Sequence, residues 1–279
     1  MNLGEKMKKL VILFVIIWVS SVLHAYELNR LIDSPTAGIL QKGESEISAK
    51  IYKNNGLLIG AKVGLFPRFM FGVNYGAEQI VGNEEPIWHE RVEFNAKLRL
   101  MDESFTYPAV AIGYDSQGHG NYIDEADSIK KKNNTITSEP QKIKRYDIKS
   151  KGVYLVASKN WSFFGNFGTH LGINKTLESD DKDLNVFLGI DKTLGNILVL
   201  NCEYDFAWND NEEVFLEQIE ENYYQEVEIE GRGYLNSSLD IHFTEYLILK
   251  ISFFDILHNN KVNASGSDRT LTLLYSMTF

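Results

Sequence analysis

From Arg91 to Leu100 the chain alternates without a fault. Arg91, Glu93, Asn95, Lys97 and Arg99 occupy one parity, and Val92, Phe94, Ala96, Leu98 and Leu100 the other. Successive side chains of a strand point to opposite faces, whereas a helix would scatter these two sets around its circumference. The segment is therefore a strand with one polar and one apolar face. The same period recurs along the chain. Leu57, Ile59, Ala61, Val63 and Leu65 oppose Leu58, Gly60, Lys62 and Gly64, and Leu184, Val186, Leu188 and Ile190 oppose Asn185, Phe187, Gly189 and Asp191. Leu198, Leu200, Cys202, Tyr204 and Phe206 oppose Asn201, Glu203 and Asp205. Only Tyr146 to Lys159 reads poorly.

Twelve such strands are predicted, at 43–53, 56–66, 68–79, 88–101, 104–117, 146–160, 162–177, 183–193, 196–209, 232–243, 245–257 and 267–279. Their connections alternate in length. Turns at Pro67, Asp102–Glu103, Trp161, Leu194–Gly195 and Thr244 are tight. The intervening connections at 77–88, 117–145, 177–183, 209–232 and 258–267 are longer and more polar, with only Lys53 to Gly56 short among them. Short turns on one side and longer loops on the other are the pattern of an up-and-down transmembrane barrel.

Alternation does not say which face is buried. Three features put the apolar face toward lipid. The polar face carries charges of both signs and many glycines. Aromatic residues gather beside the tight turns, among them Phe66, Phe69, Phe105, Tyr107, Trp161, Phe163, Phe164, Phe243 and Tyr246, as at a membrane interface. The chain also ends on a strand with Leu271, Leu273, Tyr275, Met277 and Phe279 on one parity, a pattern like the assembly signal of bacterial outer-membrane barrels. The expected fold is thus an all-β, transmembrane, up-and-down antiparallel barrel over residues 43–279, in the outer membrane of a bacterium. Its expected partners are outer-membrane lipid and the barrel-assembly machinery.

The N-terminus agrees with export. Lys6, Lys8 and Lys9 precede an apolar run from Leu10 to Val19, with Ala25 at a signal-peptidase site. That run is short for a helix crossing the bilayer, which needs roughly 20 apolar residues. Residues 1–25 read as a signal peptide and 26–42 as an irregular periplasmic lead-in. The formal charge of −10, with no basic cluster on a motif, argues against nucleic acid. The single Cys202 forms no internal disulfide.

Several short motifs resemble the YjbH-type outer-membrane family associated with exopolysaccharide production. They are Ser34-Pro35-Thr36-Ala37-Gly38, Gly113-Tyr114-Asp115-Ser116-Gln117-Gly118-His119-Gly120, Lys149-Ser150-Lys151-Gly152-Val153-Tyr154, Glu203-Tyr204-Asp205 and Gly231-Arg232-Gly233-Tyr234-Leu235-Asn236. The chain is shorter than members of that family and would match one barrel module. The resemblance implies a polysaccharide link and, as partners, polysaccharide or envelope export components.

By parity the barrel interior holds Lys50, Lys62, Arg91, Glu93, Lys97, Arg99, Asp115, His170, Asn174, Asp191, Glu203, Asp205, Asp240 and Lys250. Such a set either lines a conducting pore or pairs across the lumen and closes it, since buried charge must be paired or solvated. Closure is the favoured expectation. The segment from Asp210 to Glu230 has nine acidic residues and no basic one, yet lacks the spacing of a calcium loop; it reads as a solvated outer loop or as a strand extension with Phe215, Tyr223 and Tyr224 folded inward. His119 with Asp124 is a weak metal candidate, and Tyr114, Tyr122 and Trp208 read as outer girdle residues. No motif calls for a cofactor or metal. Some outer-membrane barrels of this size are lipases, but no serine at the lipid-facing rim pairs evidently with His170 or His242, and no nucleophile elbow is present. The expectation is a non-enzymatic barrel for exopolysaccharide export or envelope transport. The alternatives are a closed scaffold that binds partners through its outer loops and a general porin.

Overall fold

The computed structural model describes residues 27–80, 85–132, 135–178, 183–210, 215–220, 223–227, 232–259 and 267–279. The signal peptide read over residues 1–25 lies outside them. Among the described residues there is no helix.

Twelve strands close a barrel: β1 (Glu44–Tyr52), β2 (Gly56–Phe66), β3 (Phe69–Glu78), β5 (Glu93–Met101), β6 (Ala109–Asp115), β9 (Gly152–Ser162), β10 (Asn166–Lys175), β11 (Asn185–Leu194), β12 (Leu198–Asp205), β15 (Tyr234–His242), β16 (Leu247–Phe254) and β17 (Asp268–Thr278). Each pairs antiparallel with the next, and β17 returns to β1 with Ile47 opposite Tyr275 and Ile51 opposite Leu271. The twelve-stranded, up-and-down architecture is the one the alternation predicts. Closure leaves no edge unpaired, a requirement for backbone in hydrocarbon.

The faces are inverted relative to a soluble protein. Ile47, Ile59, Phe94, Leu98, Ile112, Leu155, Leu171, Ile190, Leu200, Leu271 and Leu273 are exposed, whereas Glu46, Glu93, Lys97, Asp191, Asn201 and Glu203 are buried. On the outside, Leu273 sits between Ala49 and Leu249. Two lysines on the outward parity, Lys159 and Lys192, lean to the tight-turn end, where their ammonium groups meet the turn carbonyls of Ser104 and Phe105 and of Phe163 and Phe164. Long cationic side chains near an interface reach polar ground in this way.

The tight turns all lie at one end, together with the start of β1 and the end of β17. Several boundaries differ from expectation. β6 starts at Ala109 instead of 104, because Ser104 to Tyr107 close their own turn through Tyr107 N to Ser104 Oγ (2.9 Å) and Ser104 N to Tyr107 O (3.0 Å). β5 starts at Glu93, and the residues before it include a two-residue strand, β4 (Ile87–Trp88), on the end of β3. β9 starts at Gly152, where a positive φ of 58° turns the chain. The segment read as a loop at 117–145 contains a hairpin, β7 (His119–Lys132) with β8 (Thr135–Ile148), and the acidic segment, read as an outer loop or strand extension, contains another, β13 (Phe215–Glu220) with β14 (Tyr223–Val227).

The largest departure concerns the lead-in. Residues 27–42 do not stay ahead of the barrel; they thread into it. Arg30 and Pro35 form an antiparallel bridge, so the segment is a narrow hairpin with its tip at Leu31–Ser34. Both legs leave at the tight-turn end: Glu27 meets Arg99, and Gly43 N bonds Gly64 O at 3.0 Å. Leu31 packs with Ile148, Tyr234 and Phe254. Ala37 packs with Ala109, Ala111, Tyr154, Val156 and Phe187, and Ile39 and Leu40 pack with Met70. The poorly alternating stretch in β9 now has a reason, since its inward Tyr154 and Val156 are apolar where they face this hairpin.

Candidate functional site

The lumen is a charged wall wrapped around a peptide hairpin, here termed the plug. The wall addresses mainly the plug's main chain. The Lys97 ammonium donates to Asn29 O (2.6 Å), Thr36 O (2.9 Å) and Gly38 O (2.9 Å), which uses all three of its protons. The Arg99 guanidinium donates to Ala37 O from Nε (3.0 Å) and Nη2 (2.8 Å). Across the lumen the buried Glu203 carboxylate accepts the amides of Ile32 (3.1 Å), Asp33 (2.9 Å) and Ser34 (2.9 Å), plus Asn236 Nδ2 at 2.8 Å. Lys250 bonds Leu31 O and lies 3.3 Å from Asp240. Charge-assisted bonds of this kind are about twice as strong as neutral ones.

Side chains of the plug add four anchors. Asn29 bonds Glu46 (3.1 Å) and Lys62 (2.9 Å), Arg30 pairs with Asp115, Asp33 pairs with Lys151 at 2.9 Å, and Glu27 pairs with Arg99. Burial would raise the Asp33 carboxyl, but Lys151 and Arg30 outweigh it and hold it at about 2. Inward glycines make room. A Cβ at Gly64 would land on the carbonyls of Leu40 and Gln41, and one at Gly189 on Leu31 Cδ1.

Ser158 Oγ lies 2.8 Å from both Ala37 N and His170 Nδ1, and His170 Nε2 lies 2.9 Å from Asp191. These three residue types compose a hydrolytic triad elsewhere. Here the hydroxyl accepts the Ala37 N–H, so it lies near that peptide's plane and not above a carbonyl carbon. The chain from Asp191 through His170 orients Ser158 toward the plug. Sequence reading gave His170 no serine partner because it looked at the lipid-facing rim; the partner is its direct neighbour across β9 and β10.

The long-loop end is narrowed separately. Arg145 to Lys151, the base of the β7–β8 hairpin, are buried and fold into the mouth. Arg145 and Tyr234 both meet Asp210, and Lys149 donates to Asn209 O at 2.7 Å. Tyr146 OH donates to Glu93 (2.9 Å), and Lys53 pairs with Asp147 (2.9 Å). His119 lies 2.9 Å from Asp268 and 3.4 Å from Lys50 and stacks on Phe254; the exposed Asp124 is not among these partners. Among the described residues no group of side chains is set to hold a metal ion. Cap and plug meet in one apolar cluster that holds Ile148 and Leu31, and through Lys151 with Asp33.

The structure brings together Lys62, Lys97, Arg99, Asp115, Glu203 and Lys250 on the plug. Asp205 joins the cap through Lys151 and Asn185. Asn174 bonds Lys151 O at 2.9 Å. Arg91 stands at the rim, over the Tyr122 ring and beside Glu93. Of the girdle candidates at this end, Trp208 is exposed beside Phe206 and Tyr114 is half-buried. The C-terminal set Leu271, Leu273, Tyr275, Met277 and Phe279 faces outward.

The sequence matches no family model and no curated protein. Among solved structures, the KdgM porin is similar with a TM-score of 0.46 at 8% identity, covering 84% of this chain and 99% of that one. Omp33 of Acinetobacter baumannii gives a TM-score of 0.42 at 8% identity, with 85% and 97% covered. The chain's own geometry decides where it resides: a closed twelve-stranded barrel, greasy outside and ionic inside, with aromatic residues at the turn end. It is an outer-membrane barrel of a bacterium.

Proposed function

We propose that this protein is a non-enzymatic envelope-transport barrel, closed at rest by its own N-terminal plug, and that it serves exopolysaccharide export as its YjbH-like motifs suggest. The observation that carries the transport reading is the character of the plug interface. Beside three apolar clusters, it is built from hydrogen bonds between wall charges and plug main chain, which water can replace when the plug withdraws. The family-like Ser34-Pro35-Thr36-Ala37-Gly38 motif falls within this plug, which ties the resemblance to the closure device. With the tight turns in the periplasm, as in other outer-membrane barrels, the plug opens toward the periplasm and the cap toward the outside.

A second reading is a permanently closed scaffold that binds partners through its outer loops. The cap favours it, since Arg145 and Lys151 are paired there independently of any solute. Planar-bilayer recording separates the two. The transport reading expects a quiet full-length barrel and a steady conductance once residues 27–40 are deleted; silence in both favours the scaffold. Loss of the gene with an unchanged surface polysaccharide profile removes the exopolysaccharide assignment and leaves transport standing.

A further inference from the structure

The plug is recognised in an unusual way for a part of the same chain. Polar groups of the wall reach nine of its backbone groups: the amides of Ile32, Asp33, Ser34 and Ala37, and the carbonyls of Asn29, Leu31, Thr36, Ala37 and Gly38. Amides meet an anion or a hydroxyl, and carbonyls meet cations. Wall and ligand are matched in sign along the whole hairpin. The wall also provides hollows, at Gly64 and Gly189, that plug atoms fill. Both legs of the occupant pass through one end, and Gln41 to Gly43 join it to β1.

We propose that the lumen is a peptide-binding site that reads the main chain of a tight hairpin, and that residues 27–40 are its resident, exchangeable ligand. The site's ligand class is therefore an extended peptide turning at a Leu-Ile-Asp-Ser tip. The same segment supplied in trans binds there once the resident one has left. Withdrawal is toward the tight-turn end, because both legs already point that way and the cap narrows the other. The proposal rests on the transport reading only for its electrical readout.

The test uses the full chain with a protease site inserted after Lys42, so that the barrel folds around its plug before the tether is cut. After cleavage and washing, mass spectrometry of the barrel shows whether the plug has gone. A synthetic peptide of residues 27–42 is then added during bilayer recording and, in parallel, in a direct binding assay with a labelled peptide. The expected result is release of the cut plug, conductance, and saturable closure by the peptide, with weaker closure by a scrambled one that loses the side-chain anchors of Asn29, Arg30 and Asp33. N-methylation of the peptide at Asp33 and Ser34, which removes two amides that Glu203 accepts while keeping every side chain, weakens binding about 10-fold or more. A barrel that loses its plug and conducts but does not bind the peptide overturns the proposal and leaves transport intact. One that binds the peptide yet never conducts supports the peptide site and overturns transport. A cut plug that leaves only when the barrel unfolds overturns exchangeability. Equal binding of the N-methylated peptide overturns main-chain reading.

Discussion

Glu203 and Lys97 show how a wall residue can hold a loop without fixing its side chains. Each is buried, and each makes three hydrogen bonds to peptide groups of the plug. Removing one partner of such a buried set leaves the other unsatisfied, at about 1–3 kcal/mol. For Glu203→Gln, a neutral amide with one oxygen replaces a carboxylate that takes three backbone amides. About 2 kcal/mol corresponds to an increase of about 30-fold in plug-out population. Hydrogen exchange read at the amides of Ile32, Asp33 and Ser34 is expected to accelerate by that factor, with β1 amides unchanged; equal protection in the variant counts against the role assigned to Glu203. The pleat made the inward side of each strand readable, because parity alone assigns Lys97, Glu203 and Lys250 to one face. It could not reveal that their partners are backbone atoms of residues 29–38, since main-chain groups are the same at every position and leave no trace in a sequence.

At the level of elements, the strands were legible because each has one face in lipid, and hydrocarbon tolerates few exceptions to alternation. Elements outside the lipid carry no such constraint. This is why the β7–β8 hairpin reads as a loop, the β13–β14 hairpin as a loop or strand extension, and residues 26–42 as a lead-in. A usable signal was present in Leu31, Ile32, Ile39 and Leu40, apolar residues in an irregular, Pro- and Gly-containing segment, which need burial somewhere. Two predictions belong here. Gly64→Ala drives a methyl group against plug backbone, at a cost of roughly 1–3 kcal/mol for overpacking. Gly189→Ala meets only the flexible end of Leu31 and should cost less. Thermal unfolding, followed as heat-modifiable gel mobility, should rank them in that order. Because β7 and β8 pair with each other and not with a barrel strand, replacing residues 125–143 by a short turn should leave the melting behaviour unchanged. A barrel that fails to assemble without them would show the hairpin to be structural.

For the molecule as a whole, the ring is completed by its first and last strands, and Phe279 donates its amide to Gly43 O at 2.9 Å beside that seam. Phe279 is 81% exposed, so its ring is not held by the fold and is available to lipid or to the assembly machinery. Its deletion should reduce the amount of heat-modifiable protein in outer-membrane fractions several-fold while leaving the melting of the assembled fraction unchanged; a lowered melting temperature would assign Phe279 to stability instead. The wide spacing of the plug's anchors has a consequence for biogenesis. Lys97, Ser158, Glu203 and Lys250 come from β5, β9, β12 and β16, contacts of high sequence separation that form late and slowly. The hairpin of residues 27–42 therefore finds its seat only when nearly the last strand has arrived. Seating of the hairpin reports a finished cylinder, because a precursor that lacks β16 offers it no complete seat.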